Sequence, residues 1–296
     1  MTMAGVDLTW NIARDVNNLF AYHFMVNAFR AGTAVAVVAA VVGWFMVLRE
    51  ETFAGHTLSV VGFPGAAGAV WLGLSASLGF FAFCVTAALF IAALPRRTRR
   101  GFSEESAVIG TLQAFALACG LLFASLYAGF LNGVTALLFG NFLGITNGQV
   151  ATLVITAAVC VVVVALVYRP LVFASVDPDV ATARGIRARA LSVLFLVVLG
   201  VAVAAAAQIT GALLVFALLV VPAAAAQAVT ARPAASLALA VGFGLAIAWI
   251  GLAIAYYSPY PVGFWISAVA LAIYSAARLF ARSPGRRPVP AGSRVA

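Results

Sequence analysis

Long runs of Ala, Val, Leu and Phe, separated by short polar punctuation, make up most of the chain. A helix that crosses a bilayer needs about 20 apolar residues, with a working range of about 17–25. By that measure the pattern predicts about nine spans, near residues 31–48, 60–76, 79–94, 106–126, 149–168, 191–208, 211–229, 234–254 and 263–281. The second and third nearly fuse, with Ser77-Leu78-Gly79 as the turn between them, and either could be a half-span. A membrane barrel would instead show short alternating segments. The expected fold is therefore all-α, a polytopic membrane bundle of about eight to nine transmembrane helices. Residues 1–30 read as an N-terminal interfacial segment, since Trp10, Phe20, Tyr22 and Phe24 suit the headgroup level. Residues 31–281 read as the transmembrane domain, and the Pro/Gly/Arg-rich residues 282–296 as a disordered cytoplasmic tail.

Composition agrees. Of the 296 residues, 65% are hydrophobic and 8% charged, against roughly 45–50% and about 25% in soluble domains. All 17 cationic side chains are arginines, and the formal net charge is +9. In a membrane protein this surplus reports topology, because cations in short loops mark the cytoplasmic side. Arginine clusters at Arg96-Arg97, Arg99-Arg100, at Arg169, Arg184, Arg187 and Arg189, and at Arg282, Arg286 and Arg287 fall on one side if the N-terminus is outside and the C-terminus inside. Arg49 and Arg232 then also lie inside. No basic face interleaved with aromatics suggests a nucleic-acid groove. Cys84, Cys119 and Cys160 all sit within apolar runs, too far apart for a metal knuckle, and read as buried thiols.

No loop is long enough to hold a soluble domain, and no G-x-x-x-x-G-K-[ST] loop occurs. With no lysine at all, a lysine-dependent phosphate site is excluded. The chain is not expected to be an enzyme: if ATP drives its work, a partner hydrolyses it.

Residues 53–69 stand out. They carry Gly55, Gly62, Gly65 and Gly68, Pro64, and one of only two histidines, His56. Glycine and proline weaken a helix, and irregular backbone at membrane depth is tolerated only where protein buries it or it lines a wet cavity. The segment thus reads either as a broken helix along a path, with Pro222 as a second break, or as close helix packing through small residues. His56 divides evenly between function and a solvated or packed position, since ionisable groups at depth are costly. His23 reads as a surface imidazole.

The acids beyond Asp7 and Asp15 form three pairs at expected cytoplasmic boundaries: Glu50-Glu51, Glu104-Glu105, and Asp177 with Asp179. Ser103-Glu104-Glu105 fits a helix N-terminus. Residues 177–185 predict a short helix with Asp177 as N-cap, Pro178 in the first turn, Asp179 beside it, Ala183 near the end, and Gly185 just past it. So short a helix cannot bury a core of its own. It must dock on the protein's own helix ends or on a cytoplasmic partner.

With these residues in place, the chain resembles the metal-ion permease family of ABC importers, the membrane subunits for zinc, manganese and iron(II). The likeness spans roughly residues 24–277. It is carried by Phe24-Met25-Val26-Asn27-Ala28, Val47-Leu48-Arg49, residues 53–65, Ser103-Glu104-Glu105-Ser106, Leu138-Phe139-Gly140-Asn141, residues 177–185, and residues 211–224 through Pro222. The resemblance implies a permease that pairs with a second copy in the cell inner membrane. It also implies cytoplasmic ATP-binding subunits and an extracytoplasmic metal-binding protein. Residues 177–185 match the family's ATPase-coupling helix. The metal is then substrate, with no bound cofactor.

One departure matters. The family's motif usually reads Gly-Asp-Ala-Leu-Ser-His, with the Asp and the His meeting the metal; here those two positions hold His56 and Val60. A lone imidazole suits zinc better than manganese, which prefers oxygen. The expected path therefore comprises His56, the hydroxyls of Thr57 and Ser59, and Glu105, with zinc ahead of manganese or iron(II). The competing reading is a secondary transporter driven by an ion gradient, since such proteins carry broken helices at midplane; no acid falls within a span to serve it.

Overall fold

The structure, a computed structural model, describes residues 18–94, 102–126, 140 and 144–281. Eleven helices are described there: α1 (His23–Leu48), α2 (Thr52–Trp71), α3 (Ala76–Ala93), α4 (Phe102–Leu126), α5 (Asn147–Leu166), α6 (Tyr168–Val176), α7 (Pro178–Ala183), α8 (Ala188–Thr210), α9 (Ala212–Val229), α10 (Pro233–Tyr256) and α11 (Val262–Ala281). Among the described residues there is no strand. The expected tail at 282–296, the arginines at 96, 97, 99 and 100, and most of the 127–143 connection lie outside the described residues.

Nine of these helices have 18 residues or more, which matches the count of spans read from the apolar pattern. Seven are both long and apolar enough to cross a membrane, and a shorter apolar stretch, Leu214–Val229, lies within α9. The chain is a multi-pass integral membrane protein. α2 falls outside the seven for a physical reason. Fifteen of its 20 residues are buried by protein, so it need not match lipid, and its glycines, His56 and Ser59 are tolerable.

Contacts between helix ends set the topology. At one end, Gln227 near the end of α9 donates to the Trp44 carbonyl of α1 at 2.9 Å, and the Trp44 indole donates to Ser236 at the start of α10 at 2.9 Å. At the other end, the rings of Tyr22 and Tyr256 lie 6.4 Å apart, and the Asn27 amide donates to Asn147 Oδ1 at 2.9 Å. Successive long helices therefore alternate in direction. The end holding Arg49, Arg184, Arg187, Arg189 and Arg232 is the inner one.

Two boundaries differ from the pattern. The turn between α2 and α3 falls at residues 72–75 rather than at Ser77-Leu78-Gly79. Gly73 takes φ +75°, a helix-stopping geometry, and Ser75 caps α3 by accepting from the Leu78 N–H at 3.3 Å. Leu72 and Leu74, apolar but in the turn, hid it. α1 begins at His23, so it runs through the last eight residues of the segment expected at the interface. Its polar Asn27 is buried at 2% exposure and held by the Ile145 carbonyl and Asn147.

Candidate functional site

The expected breaks at Gly55, Gly62, Pro64, Gly65 and Pro222 are a correction: α2 and α9 run unbroken through them, with each proline inside its helix. The glycines of α2 serve close approach instead. A Cβ on Gly65 would strike the Gly79 carbonyl oxygen, one on Gly79 would strike that of Gly65, and one on Gly62 would enter the Phe80 ring. α2 and α3 thus touch backbone to backbone, as small residues permit in a bundle. Gly55 likewise makes room for Met46.

His56 lies four residues into α2, about 6 Å along the axis from its inner end. Its ring is half-buried and meets the Phe216 ring of α9 edge-on, 4.6 Å between centroids. Its Nδ1 is buried without a hydrogen-bond partner. Buried polar atoms are nearly always paired, so this nitrogen is either idle or reserved for a transient ligand. Thr57 and Ser59 are fully buried. Ser59 donates to the His56 carbonyl at 2.7 Å, and the Thr57 hydroxyl lies 3.1 Å from both the Phe53 carbonyl and Gln113 Oε1. Both hydroxyls are engaged within the bundle. Glu105 belongs to α4, but its side chain is outside the described residues. Among the described residues no three His, Cys, Asp or Glu side chains gather as a metal cage.

Gln113 of α4 and Phe216 of α9 were not read from sequence. Gln113 had a signal, a lone amide inside an apolar run. Phe216 lies within residues 211–224, which carry the resemblance, but nothing marked it as a neighbour of His56, because one more Phe in an apolar span looks like lipid-facing filler.

The short helix α7 has the expected construction. Asp177 caps it by accepting from the Val180 N–H at 3.0 Å, Pro178 opens it, and Gly185 follows its end at φ +80°. Ala181 is its one buried residue, facing α6 and α8, while Asp179 and Val180 are exposed. The Arg184 guanidinium sits 5.8 Å over Phe173 of α6.

Between α7 and α2 lies a polar knot that the sequence did not disclose. Arg49, in the α1–α2 corner, is only 6% exposed and pairs with Glu51 at 3.1 Å. It also donates to Ser175 of α6 at 3.2 Å and to Ser192 of α8 at 2.6 Å, and lies 5.3 Å over the Phe195 ring. One guanidinium, with its rigid fork of donors, joins the corner that starts α2 to both elements that carry α7.

Comparison with known proteins places this architecture. Residues 21–281 match the model of the ABC 3 transport family. The manganese transport system membrane protein MntC of Listeria monocytogenes is 29% identical over 270 residues, covering 91% of this chain and 95% of the relative. The chelated iron transport system membrane protein YfeC of Yersinia pestis is 31% identical over 266 residues, covering 90% and 89%. The structure of PsaBC from Streptococcus pneumoniae in complex with Fab shares the fold at a TM-score of 0.78 and 24% identity, covering 90% of this chain and 95% of that one. The nine long helices among the described residues, the short capped inner helix and the family match over nearly the whole chain agree, and the chain belongs to the ABC 3 transport family.

Proposed function

We propose that this chain is the permease of an ATP-driven importer for a divalent transition metal, zinc in the first place, and that it works as one of two copies around a central path. ATP hydrolysis belongs to a separate subunit, and an extracytoplasmic binding protein delivers the ion. The observation that carries the reading is His56. It is an imidazole in a glycine-rich, protein-buried helix, with one ring nitrogen buried and unpaired. A single neutral nitrogen can hold a passing ion briefly without trapping it, as conduction requires. The names of the relatives support a metal as cargo.

Mechanically, α7 offers the exposed Asp179 and Val180 to the ATPase. A push on α7 reaches α6 and α8 directly, and through Arg49 it reaches Glu51, the residue just before α2 and five before His56. The tight Gly65–Gly79 contact makes α2 and α3 move as one unit.

Uptake measured by elemental analysis in cells that depend on the whole importer tests this. His56→Ala is expected to lower zinc accumulation about tenfold or more at limiting metal, with the protein still inserted and bound to its ATPase; undiminished uptake removes His56 from the path. A second reading, manganese or iron(II) as the cargo, is favoured by the relatives' names. It predicts that cells carrying the unaltered importer accumulate manganese or iron and not zinc. The gradient-driven transporter loses its ground with membership of an ABC family.

A further inference from the structure

The arginines at the inner end of the bundle follow the positive-inside rule. Arg30 does not. It stands on the second turn of α1, and among the described residues it is the one cation in the outer half of the bundle. It is exposed, and among the described residues no acid or hydrogen-bond partner answers it. A charge at this depth is costly unless something compensates it.

Arg30 stands at the mouth of a cavity of about 460 Å³ between α1 and α5. Below it the walls are apolar, from Ala34 and Val37 on α1 to Val154 and Val161 on α5. The one other polar wall residue, Thr33, is already satisfied: it donates to the Phe29 carbonyl at 2.7 Å and accepts from the Trp249 indole at 3.0 Å. At about 1.5 Å per residue the α1 wall runs about 10 Å and the α5 wall about 16 Å. The outer half of a hydrocarbon core of about 30 Å is about 15 Å, so the furrow is one leaflet deep. The furrow is apolar along its walls, open to the lipid side and one leaflet deep, the length and chemistry of a single acyl chain.

We propose that this furrow is a binding site for an anionic phospholipid of the outer leaflet, with one acyl chain between α1 and α5 and the headgroup phosphate on the Arg30 guanidinium. The fork of Arg30 can grip two phosphate oxygens. A headgroup of net negative charge satisfies it better than a zwitterionic one, whose own ammonium competes for the phosphate. The lipid would brace α1 against α5 on the periphery of the bundle, away from α2.

Native mass spectrometry of the full-length permease with its ATPase partner, delipidated and then titrated with phosphatidylglycerol or phosphatidylcholine, tests the site. The unaltered protein is expected to retain phosphatidylglycerol at least about tenfold more tightly than phosphatidylcholine. Arg30→Gln should erase that preference and Arg30→Lys should keep part of it. Ala158→Trp, at an exposed position of the wall, should fill the furrow and weaken both lipids. Millimolar inorganic phosphate should not displace the lipid. The proposal is overturned by equal retention of the two lipids on the unaltered protein, by a preference that survives Arg30→Gln, or by displacement by phosphate alone. Binding is read directly, so it stands or falls apart from which metal is carried.

Discussion

Arg49 occupies the corner between α1 and α2, and its surroundings define what a substitution there does. Its partner Glu51 has a side chain only 13% exposed. Removing the cation takes the ion pair with Glu51 and the bonds to Ser175 and Ser192 out of the corner, and breaking a buried pair costs up to about 3–5 kcal/mol. Arg49→Ala is therefore expected to lower the thermal midpoint of the detergent-solubilised protein by several degrees. It should also uncouple ATP hydrolysis from uptake in the assembled importer. An unchanged midpoint would mean that the knot holds nothing together. Its neighbour Glu50 takes φ +58°, a left-handed geometry costing an L-residue about 1–2 kcal/mol. Glycine relieves that strain but loosens the unfolded chain by about 0.4–1 kcal/mol. Glu50→Gly is expected to raise the midpoint by about 1–2 °C in the same measurement.

At the scale of elements, α2 shows how composition misleads. Its glycines and proline look like a break, yet the helix is continuous because neighbours hold it on nearly every side. Bulk on its contact face should therefore cost stability. Gly79→Leu collides with the Gly65 carbonyl and is expected to cost about 1–3 kcal/mol or more, the range for overpacking. Gly242 of α10 is also helical, but nothing lies within 4 Å of its missing side chain. Gly242→Ala is expected to be neutral or to gain up to about 1 kcal/mol from helix propensity. Equal effects in the two variants, read by thermal unfolding, would remove the close-packing account of α2. α7 is the opposite case. Asp177, Pro178 and Gly185 are local signals for a helix start and stop, so no tertiary contact was needed to read it.

For the whole molecule, alternating helix ends place α7 with the arginine-rich end and Tyr260 with the other. Tyr260 and Asp179 are both exposed. In sealed, right-side-out vesicles a membrane-impermeant maleimide is expected to label Tyr260→Cys at once and Asp179→Cys only after the membrane is opened. Labelling in the reverse order would invert the bundle and detach α7 from any cytoplasmic ATPase.

The sequence by itself determined the number of long helices among the described residues, the end at which most of the described arginines gather and the short inner helix. These follow from apolar run length, charge distribution and local capping, each readable within a few residues. Only the tertiary structure decided whether Gly55 to Gly65 break or pack, which elements Arg49 joins, and that Phe216 meets His56. It also decided that Arg30 overlooks an apolar furrow. Each of these depends on residues far apart in the chain meeting across helix faces, and in a protein 65% hydrophobic the inward and lipid-facing sides of a helix carry the same kinds of side chain.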